Sequence, residues 1–262
     1  MDDSDESTEA DRRDHVGSLA RGLQVMEALA RHPTGATLTE MATEIGLTRA
    51  AARRLLLTLV STGYATQDGR RFMLSSKLIS VARGWIGGAS LWSFAEPFMR
   101  DVSTVLGESC SAAVLSGDDV VYVARVPGRR ILSVALHVGT RLPAYCTSMG
   151  RVLLSGLTDD ELRAFLAETA LVQRTPKTVT SAERLAALVA KAREEGHAIV
   201  DEELELGLRS IAVPIRNRNG AIEAAINVST QAARFSIRDL RDEILPHLTG
   251  AAKRIEDYFV VE

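Results

Sequence analysis

The chain has 262 residues, with 31 Lys and Arg against 34 Asp and Glu and a formal net charge of −3; 46% of residues are hydrophobic and 25% charged. That is the composition of an ordinary globular protein, long enough for one or two domains with their own cores. No apolar run approaches the ~18 residues that cross a bilayer, and Cys110 and Cys146, far apart and without a C-x-x-C pair, exclude a disulfide framework and a cysteine-based zinc site.

The mean charge conceals a gradient. Residues 1–14 carry seven acids and two bases, a net of −5; residues 15–89 carry nine bases and four acids, a net of +5; residues 90–262 carry a net of −3. Such asymmetry predicts a small basic module attached to a larger, mildly acidic one. The start, MDDSDESTEADRRD, lacks apolar residues, so a disordered tail is expected over 1–14. It has no signal-peptide character, and the expected compartment is the cytoplasm.

From Ser18, the expected N-cap of a first helix, Leu19, Leu23, Met26 and Leu29/Ala30 recur at helical spacing, and Pro33 marks the exit. A second helix opens at Thr37, where Thr37-Leu38-Thr39-Glu40 is a capping box, and Gly46 ends it. Its apolar stripe is Leu38, Met41, Ala42 and Ile45. A third helix runs from its N-cap Thr48 to about Thr62, with Ala52, Leu55, Leu56 and Leu59 inward. Small Ala42, then Gly46 in the turn, then Ala52 and Leu55 on the inner face make a helix-turn-helix, whose second helix presents its first residues to a major groove. The expected leading surface is Thr48, Arg49, Ala50, Ala51, Arg53 and Arg54. Arg49 and Arg53 share a face, and guanine is the natural bidentate partner of arginine. A hairpin follows, Tyr64 to Gln67 and Arg70 to Leu74 around Asp68-Gly69, whose Arg70 and Arg71 are expected against phosphates. Three helices and a basic hairpin make a winged helix.

Residues 76–89 read as a helical connector with three glycines. A helix over Leu91 to Leu106 is expected to turn Leu91, Phe94, Phe98, Val102 and Val105 inward, with a bend or restart at Pro97. The period then becomes strand-like: a hairpin from Cys110 to Val126, a strand over Ile131 to Leu136, and strands over His197 to Asp201, Ser210 to Ile215 and Ala221 to Thr230. Helices are expected over Arg151 to Gly156, over Asp159 to Ala167, from a Thr180–Glu183 capping box to Glu195, and from Phe235-Ser236 to about Phe259. A mixed sheet with helices at its ends is an α+β, sensor-like architecture.

Catalytic constellations are missing from this half. There is no G-x-S-x-G, no phosphate-binding G-x-x-x-x-G-K, no G-x-G-x-x-G and no H-E-x-x-H, and the five histidines lack metal-ligand spacing. The acid run Asp201-Glu202-Glu203 reads as a solvated loop. Cys146 stands near a predicted helix start, where a thiolate is favoured, but no general base accompanies it. Thr147, Ser148 and the first amides near Gly150 suggest a carboxylate site. Ser210, Asn227 and Ser229 lie on strands that can face the same space, and Asn227 and Ser229 share one strand face. Such a pocket binds rather than catalyses. No catalytic residue, metal or cofactor is expected. Two other readings stay open, an enzyme acting on a small acid through Cys146 and a sensor module that binds protein.

SLARGLQVMEALA followed by LTEMATEIGLTRAAARRLLLTLVSTGY resembles the IclR family of bacterial transcription regulators, as do GTRLPAYCTSMGRVLL, DEELELGLRSIAVPI and AAINVS in the other half. The likeness runs from about Ser18 to Tyr258. The helix LTRAAARRLLLTL and the stretch from SLW to ESCSAAVLSGDDVVYVARVP are most similar to the branch that controls aromatic-acid catabolism through the beta-ketoadipate pathway (the PcaR, PcaU and PobR type). The resemblance implies a winged helix-turn-helix over 15–75, a linker helix over 76–90 and a GAF-like mixed α/β effector domain over 91–262. It implies double-stranded promoter DNA, a small aromatic or dicarboxylic acid effector, and a homodimer or tetramer as partners. It places effector contacts at Leu142, Ser148, Met149, Leu208, Ser210, Asn227 and Ser229. Members commonly carry small residues where Ser148 and Met149 stand and a Ser-Thr pair at Ala50-Ala51, so neither pocket shape nor base readout transfers.

Overall fold

In the computed structural model, which describes residues 16–78, 81, 91–128 and 136–261, helix caps organise the N-terminal part. The chain divides into two units, Met1–Gly88 and Ala89–Glu262. In the first, α1 (Gly17–Ala30), β1 (Ala36–Thr37), α2 (Leu38–Glu44), α3 (Arg49–Ser61), β2 (Ala65–Asp68) and β3 (Arg71–Leu74) follow in order. The capping box at Thr37 forms as the spacing predicts: Glu40 N donates to Thr37 Oγ1 at 3.3 Å and Thr37 N to Glu40 Oε2 at 2.7 Å. Thr48 caps α3, accepting from Ala51 N at 3.2 Å. Gly46 turns the chain between α2 and α3 at φ 64°, a conformation that glycine takes at least cost. The wing holds one strand more than expected, because Ala36 and Thr37 pair with Phe72 and Arg71 to give the order β1-β3-β2.

Two expectations for α1 are corrected. The helix begins at Gly17, with Val16 at the N-cap and no side-chain cap, so Ser18 lies inside the first turn. Its buried face is Val25, Ala28 and Leu29, which join Met41, Leu56 and Phe72 in the core, whereas Leu19 is 62% and Leu23 46% exposed. Both stripes have helical periodicity. The one that meets α3 and β3 is buried, each large apolar side chain contributing roughly 1.5–3 kcal/mol.

The second unit has α4 (Leu91–Leu106), β4 (Ser109–Ser116), β5 (Asp119–Val126), β6 (Arg141–Pro143), a 3₁₀ turn (Ala144–Cys146), α5 (Ser148–Leu154), α6 (Asp159–Glu168), α7 (Ala182–Glu195), β7 (Ala198–Asp201), β8 (Leu208–Arg216), β9 (Ile222–Gln231), α8 (Ile237–Asp239), a π turn (Leu240–Ile244), α9 (Leu245–Glu256) and α10 (Tyr258–Val261). Six strands form one sheet in the order β6-β5-β4-β9-β8-β7, and every described pairing is antiparallel. The helices cover both faces rather than the ends. One face (Cys110, Ala112, Ile211, Val213, Ile226, Val228) packs on Met99 and Val102 of α4 and on Leu248, Ala252 and Ile255 of α9. The other (Ala113, Ala198, Ala212, Ala225) is lined by alanines, so Val152 and Leu153 of α5 and Leu185 and Val189 of α7 approach closely.

The structure differs from the pattern reading elsewhere as well. In α4 the buried residues are Ala95, Met99, Val102 and Ser103; Phe94 is 37% and Val105 64% exposed, and Pro97 sits within a continuous helix. Phe94 instead meets Phe98 and Tyr258, with ring centroids 5.3 and 5.6 Å apart. Helix α5 starts at Ser148, three residues before Arg151, because Thr147 caps it through Gly150 N at 3.2 Å. The cap of α7 is Ser181, accepting from Arg184 N, rather than Thr180. The expected disordered tail and most of the expected connector and of the strand Ile131 to Leu136 lie outside the described residues.

Candidate functional site

Two places carry the predicted site residues, one in each unit. In the first, α3 exposes Thr48, Arg49, Ala50, Arg53 and Arg54, and Ala51 is half-buried. Arg49 and Arg53 rise from one face of the helix, four residues apart. Ala51 and Arg54 stand on the flank facing α1, where they border an apolar groove with Leu19, Leu23, Leu55 and Leu59.

What the basic side chains touch separates them. Arg31 pairs with Glu44 at 2.7 Å, and Arg71 donates to the carbonyl of Gly35 at 2.7 Å, which fastens β3 to the chain before β1. Arg71, itself exposed, thus has one guanidinium nitrogen held by the fold. The side chains of Arg49, Arg53, Arg54 and Arg70 make no hydrogen bond or ion pair with the described residues. Four unpartnered guanidinium groups on one helix and one hairpin tip are a surface ready for phosphates and base edges.

The second place is a pocket where the alanine-lined face of the sheet runs past the start of α5. Ser210 and Ser229 are cross-strand partners, and Asn227 lies opposite Ala212 and Ser111, so three polar side chains leave the sheet on one face. Leu142 from β6, Thr147, Ser148 and Met149 from the start of α5, and Leu208 from β8 close it, so the structure brings all seven expected effector contacts together. Tyr122, Leu136, Val200 and Leu204 also line it and were not read from the sequence. Val200 sits opposite Ser210 and Tyr122 opposite Ala113, positions that alternation allows but that only strand order assigns to this cavity. The cavity is tight: its open room is about 30 Å³, enough for one or two waters.

Glycine is obligatory beside it. A Cβ on Gly150 would lie 2.0 Å from the carbonyl oxygen of Ala144. The 3₁₀ turn therefore folds directly onto α5 and presents Cys146 and Ser148 to the cavity. The amide of Gly150, expected to be free for an anion, is taken by Thr147 Oγ1, and that hydroxyl also donates to Pro143 O at 3.1 Å. Ser148 Oγ and Asn227 Oδ1 are two of four buried side-chain atoms without a hydrogen-bond partner among the described residues, the others being Arg151 Nε and His197 Nε2, while Asn227 Nδ2 donates to Ser229 Oγ at 3.1 Å.

The electrostatics leave the thiol and the phenol of the pocket unactivated. Burial pushes the Cys146 thiol up to about 11, so it is a protonated thiol at neutral pH, and pushes the Tyr122 phenol up to about 12. The expected thiolate at a helix start is thus corrected by desolvation. The acid run is also not a solvated loop. Glu203 is buried against Arg151 of α5 at 2.6 Å, Lys177 spans Asp201 and Glu202, and Arg209 binds Asp201 at 2.6 Å. Among the described residues no group of His, Cys, Asp or Glu has the arrangement of a metal site.

Comparison with known proteins places these two sites in context. Residues 18–69 match the IclR helix-turn-helix domain, and residues 85–257 match the C-terminal domain of bacterial IclR transcriptional regulators. The chain is 42% identical over 241 residues to the Pca regulon regulatory protein of Pseudomonas putida, covering 92% of this chain and 83% of that one. It is 32% identical to the p-hydroxybenzoate hydroxylase transcriptional activator of Acinetobacter baylyi, over 96% of this chain and 94% of that one. Among solved structures, an IclR homolog from Microbacterium hydrocarbonoxydans complexed with 4-hydroxybenzoate superposes with a TM-score of 0.83 at 25% identity, covering 94% of this chain and all of that one.

Proposed function

The chain belongs to the IclR family of bacterial transcriptional regulators, and we propose that it controls genes for the breakdown of an aromatic or related small acid by binding promoter DNA in response to that acid. The observation that carries the reading is the set of unpartnered arginines on α3 and the wing, in a chain whose second unit holds a closed, catalytically unequipped pocket. The relatives supply the pathway: one regulates the Pca regulon, another activates p-hydroxybenzoate hydroxylase, and a structural neighbour was solved with 4-hydroxybenzoate.

On this reading residues 15–75 bind DNA, 76–90 link, and 91–262 sense. Thr48, Arg49, Ala50, Arg53 and Arg54 lead into the major groove, with Ala51 alongside them, and Arg70 meets the phosphate backbone. Arg71 braces the wing, and Leu142, Ser148, Met149, Leu208, Ser210, Asn227 and Ser229 hold the effector. The pocket is too small for an aromatic ring in its present form, so binding requires its walls to move apart. That movement selects among arrangements of a homodimer or tetramer that match or miss two half-sites. The work is done in the cytoplasm, where promoter DNA is.

Electrophoretic mobility shift with the DNA upstream of the protein's own gene tests it. The expected result is a specific shift, lost in Arg53→Ala and altered by added 4-hydroxybenzoate or a related acid. Absence of any specific shift defeats the reading. The alternative of an enzyme using Cys146 has no support in a thiol that burial raises to about 11.

A further inference from the structure

Lys77 is a basic residue of the first unit whose ammonium is turned onto the protein itself. We propose that Lys77 is a positioning residue rather than a phosphate contact: it fixes the base of the wing to the end of α3, and so sets where Arg70 stands relative to Arg49 and Arg53. The inference rests on the reading that α3 and the wing bind DNA, and it names a residue on which their joint contact depends.

Helix α3 runs out at its C-cap Thr62 with no basic side chain in its last turn. The last carbonyls of a helix have no partners within it and form the negative end of its dipole. Two are met locally, since Gly63 N donates to Val60 O at 3.0 Å and Tyr64 N to Leu59 O at 2.8 Å, the Schellman pattern. The next three are met from the far strand of the wing. Lys77 Nζ donates to Thr62 O at 2.7 Å, Ser75 Oγ donates to Gly63 O, and Ser75 N donates to Tyr64 O at 3.0 Å. Ser75 Oγ also accepts from Lys77 N at 3.2 Å, so the backbone that carries the lysine is held by the same clasp. The ammonium lies 4.5 Å from the centroid of the Tyr64 ring, whose face attracts a cation.

The clasp joins the two parts that meet DNA. Tyr64 leads into β2 and Ser75 follows β3, so residues 75–77 close the base of the hairpin whose tip carries Arg70. Pairing with β1 ties the wing to the start of α2. The clasp ties it to α3, which carries Arg49 and Arg53. A four-residue strand is about 13 Å long, so a tilt of about 10° at its base moves the tip by about 2 Å, enough to break a hydrogen bond to a phosphate. Arg70 has no bond to hold it back from DNA. Lys77 has a carbonyl at the negative end of a helix and an aromatic face.

A double-mutant cycle tests the proposal, read by fluorescence anisotropy of the full-length protein on a labelled duplex from upstream of its own gene. Lys77→Met and Arg70→Ala are each expected to weaken binding. The double variant then binds within about twofold of Lys77→Met alone, because a displaced wing has already lost the Arg70 contact. Arg53→Ala stays additive with Lys77→Met. Lys77→Arg, which can donate to the same carbonyl and lie over the same ring, restores binding to within about twofold. A direct phosphate contact, or a general loss of folded protein, would be additive with Arg70→Ala. Additive losses, failure of Lys77→Arg to restore binding, or a Lys77→Met variant that binds as tightly as the unaltered protein overturns the inference and leaves the DNA-binding reading standing. If Arg70→Ala alone has no effect, the role given to the wing falls and the inference with it.

Discussion

Arg151 and Glu203, far apart in sequence, meet as a buried ion pair, Nη2 to Oε2 at 2.6 Å, with side chains 3% and 9% exposed. The pair joins α5 to the loop between β7 and β8. Glu203 Oε2 also accepts from Val179 N at 3.2 Å, and Glu203 O accepts from Thr178 Oγ1 at 2.6 Å. One carboxylate therefore fastens three segments beneath the pocket, and the same loop supplies Leu204 and ends at Leu208, both in its wall.

Removing one partner leaves the other charge buried. Arg151→Met and Glu203→Gln are each expected to cost about 3–5 kcal/mol, read from urea denaturation midpoints. The double change Arg151→Met, Glu203→Leu recovers a large part of that loss. If the double variant is as unstable as the sum of the singles, the pair is not acting as a unit.

The exposed arginines are expected to divide by task. Arg53→Ala weakens the cognate site by about 1–3 kcal/mol and relaxes discrimination against altered sites, as loss of a base contact does. Arg70→Ala weakens all DNA alike and lowers the salt slope by about 1. Arg71→Ala acts through folding, because its guanidinium holds Gly35 O. Fluorescence anisotropy across salt concentrations, with melting curves alongside, distinguishes the three.

Gly150→Ala drives a methyl into Ala144 O, and the expected loss lies at or above the upper end of the roughly 1–3 kcal/mol that overpacking costs. Gly46→Ala, with open space around it but φ 64°, costs only about 1 kcal/mol. Equal losses in thermal melts would mean that the close approach to the 3₁₀ turn is not what requires Gly150.

Both cysteines are expected to resist alkylation in the folded state. Burial pushes Cys110 up to about 12 and Cys146 up to about 11. At pH 8 the Cys146 thiolate is then about a hundredfold scarcer than for a free thiol. Iodoacetamide labelling followed by mass spectrometry should be slow in buffer and complete in urea; fast native labelling of Cys146 would revive a chemical role for it.

Acid should loosen the DNA-binding unit. Glu44 bridges α2 to the end of α1, and its carboxyl is held below the ordinary 4.5 by hydrogen bonds from His32 and Arg31. A carboxyl depressed on folding adds stability that is complete above its unfolded value and fades as pH falls through the folded one. Melting temperatures between pH 6 and pH 3 should drop less steeply in Glu44→Gln, and an identical slope would remove Glu44 from the account.

Much of the first unit was legible because its signals are local. The capping box of Thr37 and Glu40, the cap of Thr48 and the turn at Gly46 depend on residues three or four apart, and all three form as read. The stripes of α1 and α4 were misassigned for the complementary reason. Each helix carries more apolar residues than one face can bury, and which face is chosen depends on a partner elsewhere in the chain.

What the sequence determined by itself, then, is the segregation of charge, with a basic module between an acidic start and a mildly acidic second half, and the kinds of element in each. The net charge of −3 is no guide to partners once that division is seen. Only the tertiary structure decided that Arg71 donates to Gly35, that Glu203 is buried against Arg151 rather than solvated, and that Tyr122 and Val200 share a cavity with Asn227. Caps and turns are written within one helical turn of sequence. Strand order and buried pairing depend on contacts between residues tens of positions apart, and periodicity says which way a side chain alternates without saying what it meets.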